Sequence, residues 1–231
     1  MYWRILILLL PVLSILLFFS YWRLKYFFRD PERSVPSGRN IVSPADGTVV
    51  YVKSIKNGQA PVATKQGKDI TLEELARSPV GGRFDSGYLI GIFMSLFDVH
   101  VNRTPVSGVV ESISHYRSRR NWSMWRMGMK KLLRRKEIYS ASNRYLLENE
   151  RNTILIDGTV PVCVVQIADS YVDRIECWIR RGQKVRKGQR IGRIVMGSQV
   201  DVMVPAADGV KIEVKEGQHV CAGETILASL D

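Results

Sequence analysis

The chain of 231 residues reads as a mainly β protein, a sandwich or barrel of short hairpins behind an N-terminal membrane helix. Three observations predict this. Apolar and polar residues alternate over short stretches separated by glycine-containing turns, the period-two pattern of half-buried strands. A ten-residue unit, Gly182 to Ile191, returns 35 positions later as Gly217 to Ile226. At the other end of the chain, Ile5 to Trp22 is a run of 18 residues without a charge, close to the minimum that crosses a bilayer.

The apolar run contains Pro11, a potential kink. A cleaved signal peptide is its rival reading, but Ser20 is followed by Tyr21, Trp22 and Arg23 instead of a small-residue cleavage site. Residues 1–26 are therefore read as a retained anchor with an interfacial segment, and 27–231 as the folded domain. Arg4 alone precedes the run, whereas Arg23, Lys25, Arg29 and Arg33 follow it, which places the domain on the cytoplasmic side of the cell membrane. Tyr21, Trp22, Tyr26, Phe27 and Phe28 interleave with those cations, as at a headgroup interface. The formal net charge of +12 calls for a polyanionic partner, nucleic acid or an anionic membrane, and the anchor favours the membrane over nucleic acid. Cys163, Cys177 and Cys221 are odd in number and lack C-x-x-C spacing, which argues against a metal site and against a disulfide framework.

From Ile41 the chain is β-rich. Ile41 to Val52 holds an Asp46-Gly47 turn leading into a strand, and Val204 to Ile212 echoes its P-A-D-G-V pattern. The two G-Q-x-V-x-x-G-[QE]-x-I units have glycines where turns fall and β-branched residues facing inward. Such duplication argues for a quasi-twofold sandwich and resembles the biotinyl and lipoyl carrier domains. Neither unit carries the tip lysine of those carriers, so the repeat is scaffold. Asp69 to Ser78 reads as a short helix or loop ended by Gly81-Gly82. Tyr88 to Phe97 is a core strand that delivers Asp98 to Gly108 to the surface; Val162–Ile167 and Arg174–Ile179 are further strands. Arg117 to Arg135, cationic with Trp122, Trp125 and three methionines, is either a membrane-surface segment or a solvated loop.

Gly197-Ser198 interrupts the strand pattern of Arg190 to Pro205. By itself the pair is a β-bulge. It also permits a rarer chemistry, because a serine hydroxyl can attack the preceding carbonyl and glycine tolerates the backbone conformation this needs. The ester so formed can eliminate, cutting the chain and leaving a pyruvoyl group. Of the three histidines, His219 faces a turn and His115 borders the basic segment, exposed; His100, between Asp98 and Asn102 at the end of a core strand, is either a structural histidine or a catalytic one.

Six segments in register resemble the short, membrane-anchored form of the phosphatidylserine decarboxylase family. They are Phe27 to Arg33, Ser43 to Gly47, Phe97 to Arg103, Glu148 to Asn152, Val165 to Ala168, and Gly197 to Val202. The resemblance implies a proenzyme cleaved between Gly197 and Ser198 into a β-chain, 1–197, and an α-chain, 198–231, that stay together. The pyruvoyl cofactor made from Ser198 would form a Schiff base with a serine-headed phospholipid of an anionic membrane and accept the electrons released with CO₂. It further implies a processing set of Ser198, His100 and Asp46, in which His100 takes the hydroxyl proton and Asp46 orients the imidazole. Arg103 stands where long-form relatives carry a second histidine, and either binds a substrate anion or forms a surface salt bridge. Asp169 replaces an expected glycine, and residues 67–82 read as an insertion. The alternative from another class is a non-catalytic, membrane-tethered carrier or adaptor on the same scaffold.

Overall fold

The N-terminal apolar run folds as one helix, α1 (Tyr2–Tyr21), which contains Pro11 and continues as a π-helical turn over Trp22–Tyr26. The computed structural model describes residues 2–65, 68–80, 82–124, 129, 144–170, 175–195 and 197–230. Along the described part of α1, Leu9, Leu13, Leu16 and Phe19 are all more than half exposed. By length and composition it can span a membrane.

The strands follow in order. β1 (Asn40–Val42), β2 (Gly47–Lys56), β3 (Gln59–Lys65) and β4 (Lys68–Thr71) precede the short helix α2 (Leu72–Ala76). β5 (Ser86–Met94), β6 (Val101–Arg103) and β7 (Gly108–Tyr116) lead to α3 (Tyr145–Glu148). β8 (Arg151–Gly158), β9 (Val162–Ala168), β10 (Ile175–Cys177), β11 (Lys184–Val185) and β12 (Arg190–Ile194) come next. β13 (Ser198–Pro205), β14 (Val210–Ile212), β15 (His219–Val220) and β16 (Ile226–Leu230) complete the chain. The large antiparallel sheet has the order β11-β7-β8-β9-β13-β5-β2-β3-β4, with β15 pairing β2; β1-β16-β14 and β10-β12-β6 form two small sheets.

β13 lies between β9 and β5 and is buried along its whole length, not half-buried as its alternation suggests. Val200, Val202 and Val204 enter one apolar cluster with Ile90, Ile92 and Val164, while Met203 enters another with Leu89, Val165 and Ile167. The second face is covered by α2, α3 and Phe84, elements whose closure over β13 the strand pattern does not encode. α2 is capped as its sequence dictates: the Thr71 side chain accepts from Glu74 N, and Glu74 answers to Thr71 N. It ends at Ala76 with Arg77 in the left-handed region, well before Gly82, which begins a 3₁₀ turn.

The repeated units occupy matching places. Gly182 N donates to Val110 O and Gly217 N to Val49 O; Gly188 N donates to Thr104 O and Gly223 N to Ser43 O. All four glycines have positive φ, which is why glycine recurs there. The mate of Ser43–Gly47 in this pseudo-symmetry is Thr104–Gly108, not the later P-A-A-D-G echo: Ala222 N donates to Asp46 Oδ1 as Lys187 N donates to Ser107 Oγ.

Candidate active site

Ser198 opens β13 and is fully buried, with Met94 of β5 and Ala168 of β9 as its register partners. Its hydroxyl points at the Met94 thioether, Oγ to Sδ 3.2 Å, a weak acceptor that leaves the proton loosely held. Gly197 has φ +63°, and a Cβ there would stand 3.3 Å from the Asp169 carboxylate. Asp169 N donates to the Gly197 carbonyl oxygen at 3.2 Å. The Gly197 carbonyl thus carries a backbone donor of the kind that can stabilise an oxyanion. Burial pushes the Asp169 carboxyl pKa up, against the N–H groups of Met124 and Ser170 that hydrogen-bond to it.

His100 precedes β6 and is 2 % exposed. Its Nδ1 lies 2.9 Å from the Asp98 carbonyl oxygen, which can only accept, so the neutral ring carries its proton on Nδ1 and a lone pair on Nε2. Nε2 is buried and has no hydrogen-bond partner among the described residues. Burial pulls the imidazole pKa down to about 4, so His100 is an unprotonated base at neutral pH. Its ring packs on Phe27, centroids 4.2 Å apart. The loop is further fixed by Asp98, whose Oδ2 accepts from Ser95 N at 2.7 Å and whose Oδ1 meets His219 Nε2 at 3.1 Å. His219, assigned no role in the sequence, thus ties residues 198–231 to the histidine loop. His115 is exposed, as expected, and pairs with Glu150 at 2.9 Å.

His100 and Ser198 share no hydrogen bond. What connects their surroundings is Asn102, two residues beyond His100, whose Nδ2 reaches the same Met94 sulfur at 3.7 Å. Behind it runs a chain of buried amides. Asn152 Nδ2 donates to Gln166 Oε1 at 2.8 Å, and Gln166 Nε2 donates to Asn102 Oδ1 at 2.7 Å. That direction turns the Asn102 amide so that its N–H₂ faces the Met94 sulfur that Ser198 Oγ also meets. A donor offered only a thioether in a buried pocket has capacity for a stronger acceptor.

Two expected site residues lie elsewhere. Asp46 makes no hydrogen bond to His100; both its oxygens accept from Arg33 Nη2, at 2.9 and 2.8 Å, and Oδ1 also caps Ala222 N. Arg33 continues to Glu224 at 3.2 Å. The reason is the pseudo-symmetry: the position of Asp46 is a turn cap, served by the Ser107 hydroxyl in the other half. Arg103 forms a salt bridge, but a buried one and not at the surface. It donates to Asp30 Oδ1 at 2.6 Å, Pro31 O at 3.0 Å and Gly188 O at 3.1 Å. Asp30 also pairs with Arg190. Both arginine–carboxylate pairs thereby strap residues 27–33 onto the β domain.

Sequence reasoning missed Met94, Asn102, Asn152, Gln166 and the Asp169 amide. The usable signal was polarity out of place: Gln166 and Asn152 sit among apolar strand residues. On the other face of β13, Tyr51, Gln199, Asp201 and Tyr145 form a second buried network, with Tyr51 Oη 2.8 Å from Asp201 Oδ1 and Tyr145 Oη 3.0 Å from Gln199 Oε1. Most of the basic segment, including Trp125, falls outside the described residues.

The family model described as Phosphatidylserine decarboxylase matches residues 21–228. A protein of Methanocaldococcus jannaschii, provisionally named archaetidylserine decarboxylase proenzyme, is 40% identical over 208 residues, 88% of this chain and 87% of its own. Phosphatidylserine decarboxylase proenzymes of Chlorobaculum tepidum and of the Wolbachia from Brugia malayi are 34% and 35% identical, over 87% and 89% of this chain and 75% of each relative. These relatives lend no support to a non-catalytic carrier. A buried serine beside a polarised glycine carbonyl, an unprotonated histidine and this breadth of similarity converge: the chain belongs to the phosphatidylserine decarboxylase family, enzymes made as self-processing proenzymes.

Proposed function

We propose that the chain cuts itself between Gly197 and Ser198 and then decarboxylates a serine-headed phospholipid at the cytoplasmic face of a membrane. The observation that carries this is the scissile peptide itself. A glycine at φ +63° presents its carbonyl to the Asp169 N–H, and the next residue carries a buried, weakly bonded hydroxyl. Ser198 Oγ attacks the Gly197 carbonyl carbon as His100 Nε2 takes its proton, and Asp169 N stabilises the oxygen charge. The C–N bond breaks and an ester replaces the peptide. Loss of the Ser198 α-hydrogen then breaks the Oγ–Cβ bond, releasing the Gly197 carboxylate. Water adds and ammonia leaves, so residue 198 ends as a pyruvoyl group. Asp46 and Arg33 act through position, holding the strap whose Phe27 packs on His100.

The pocket fits that group: it is buried, lacks a Cβ at residue 197 and holds an unprotonated base. When present, the pyruvoyl supplies an electrophilic carbonyl and an electron sink for breaking the carbon–carboxylate bond. Asn102 offers its N–H₂ to an anionic oxygen, with Gln166 and Asn152 holding its orientation. His100 Nε2 would take a proton from the substrate's ammonium group and return it to the carbon that CO₂ leaves.

The products, 1–197 and 198–231, remain joined because β13 stays paired with β5 and β9. The matching glycine turns and caps support a duplicated biotinyl/lipoyl-like hybrid fold, with α1 as membrane anchor. Denaturing electrophoresis with intact mass tests the proposal. Wild-type protein is expected to give a short fragment starting at residue 198 with a blocked, ketone-bearing end, and Ser198→Ala a single chain. An uncut wild-type chain with its serine intact refutes it.

A further inference from the structure

The loop between β5 and His100 exposes Leu96 and Phe97, 41 and 64 %, at a place where the chain has no other reason to show apolar surface. These residues do not stand alone. Phe97 closes a small apolar hollow with Phe18, Tyr21, Trp22 and Tyr26, the cytoplasmic end of the membrane helix. Arg29 locks the loop to that end, donating from Nη2 to Phe97 O at 2.5 Å and from Nη1 to Tyr26 O at 3.0 Å. Cations and aromatic rings alternate around it. The Arg29 guanidinium lies 3.9 Å from the Tyr26 ring centroid, Arg23 5.5 Å from that of Phe28, and Arg193 4.8 Å from the Phe28 ring. Arg193 also lies 5.9 Å from the ring of Trp178, itself 46 % exposed. Amphipathic rings and fixed cations beside bare apolar side chains are the composition of a bilayer interface.

We propose that the Leu96–Phe97 loop is a second membrane contact, inserted in the interfacial layer of an anionic bilayer next to the anchor, which sets the depth of the active site. The inference rests on α1 being a membrane anchor. His100 lies three residues beyond Phe97, within about 11 Å along the chain. With Phe97 at acyl-chain level, His100 sits at headgroup level, and a serine headgroup reaches it while its tails stay in the membrane. The loop thus presents lipid to the site without extraction.

The test places a nitroxide on the full chain in liposomes of phosphatidylglycerol and phosphatidylcholine. Cys177→Ser and Cys221→Ser provide the background, and the buried Cys163, whose thiol pKa burial raises to about 12, does not label. Labels go on Phe97→Cys, on Leu13→Cys in the anchor, and on Asp208→Cys beyond the far end of β13, since Pro205 pairs with Gly87 and Ser198 with Met94. The expected result is high oxygen and low nickel-chelate accessibility at 97 and 13, and the reverse at 208. A label at 97 that meets the nickel chelate while the one at 13 does not overturns this proposal alone; chelate access at both overturns the anchor reading too. A label at 97 shielded from both reagents marks a protein contact and also overturns it. Leu96→Cys repeats the measurement if Phe97→Cys does not fold. As a second reading, Phe97→Asp is expected to raise KM for vesicle-borne substrate about tenfold, with a smaller change in kcat; an unchanged KM counts against the proposal.

Discussion

Two buried polar clusters lie on either side of β6, and they differ in how their atoms are committed. In the strap cluster, Arg33 with Asp46 and Glu224, and Arg103 with Asp30, pair opposite charges. Burial alone would pull the Arg33 pKa down, but the hydrogen bonds and charge of Asp46 and Glu224 outweigh it, and the net shift is up. In the pocket cluster, Ser198, His100 and Asn102 are neutral: the Ser198 hydroxyl and the Asn102 N–H₂ meet one thioether, and His100 Nε2 has no hydrogen-bond partner among the described residues. Satisfied charges hold parts together; under-committed neutral groups are available to react. Both clusters contain residues that the sequence marks as catalytic, and the two sets differ in how their hydrogen bonds and charges are satisfied.

Removing the pocket's base is expected to have the largest effect. His100→Ala should slow self-cleavage by about 10²- to 10⁴-fold, measured as the rate at which the 198–231 fragment appears. Full maturation at the wild-type rate would move the base elsewhere. In the strap, Arg33→Ala should destabilise by about 3–5 kcal/mol in chemical denaturation, because it leaves the buried Asp46 carboxylate without a counter-charge. Asp46→Ala should destabilise by less, because Arg33 keeps Glu224. Self-cleavage should fall no further in Asp46→Ala than in Arg33→Ala. A triad in which Asp46 touches His100 instead predicts that Asp46→Ala alone blocks processing.

Within the pocket, Asn102→Ala should lower kcat by about 10- to 100-fold, the scale of one lost donor to a developing charge. Gln166→Leu should give a smaller loss, since it removes only the group that orients the amide. Equal KM and kcat effects in both variants would blur the distinction between pocket and scaffold.

The smallest effect concerns pH. His100 has a folded pKa of about 4 against 6.5 ordinarily, so its contribution to stability is fully present above pH 6.5 and is lost as pH falls toward 4. Asp201 runs the other way. Burial raises its pKa to about 7, so its contribution is present below the usual carboxylate range near 3.8 and is lost as pH rises through 7. The two slopes oppose each other between pH 4 and 7 and leave a flat profile. Asp201→Asn should expose the histidine slope: melting temperature relative to wild type should rise from pH 5 to pH 8, read by thermal denaturation in detergent.

The strands and turns were legible because local chemistry dictates them. Tyr88–Phe97 overlaps β5, which runs from Ser86 to Met94 and leaves Ser95–Phe97 in the loop, the Thr71–Glu74 capping box starts α2, and each glycine of the repeats sits where φ is positive. Ser198 and His100 were legible as candidates, a serine after a glycine and a histidine at a strand end, and both are buried. Asn102 and Gln166 were not, because an amide in a strand has no meaning until its partner is known, and Gln166 lies 64 positions from Asn102. The fate of Asp46 was equally hidden: its partner Arg33 is near in sequence, but the Ala222 N–H that makes it a turn cap is 176 residues away.

By itself, the sequence determined the apolar helix, the period-two strands, the duplicated turns and the Gly197-Ser198 pair, since each depends on neighbours within a few residues. The tertiary structure alone decided which polar groups are satisfied and which are left in want of a partner. Hydrogen bonds and ion pairs between distant segments exist only after the sheets have closed, and burial then sets whether a histidine is a base and an arginine a strut.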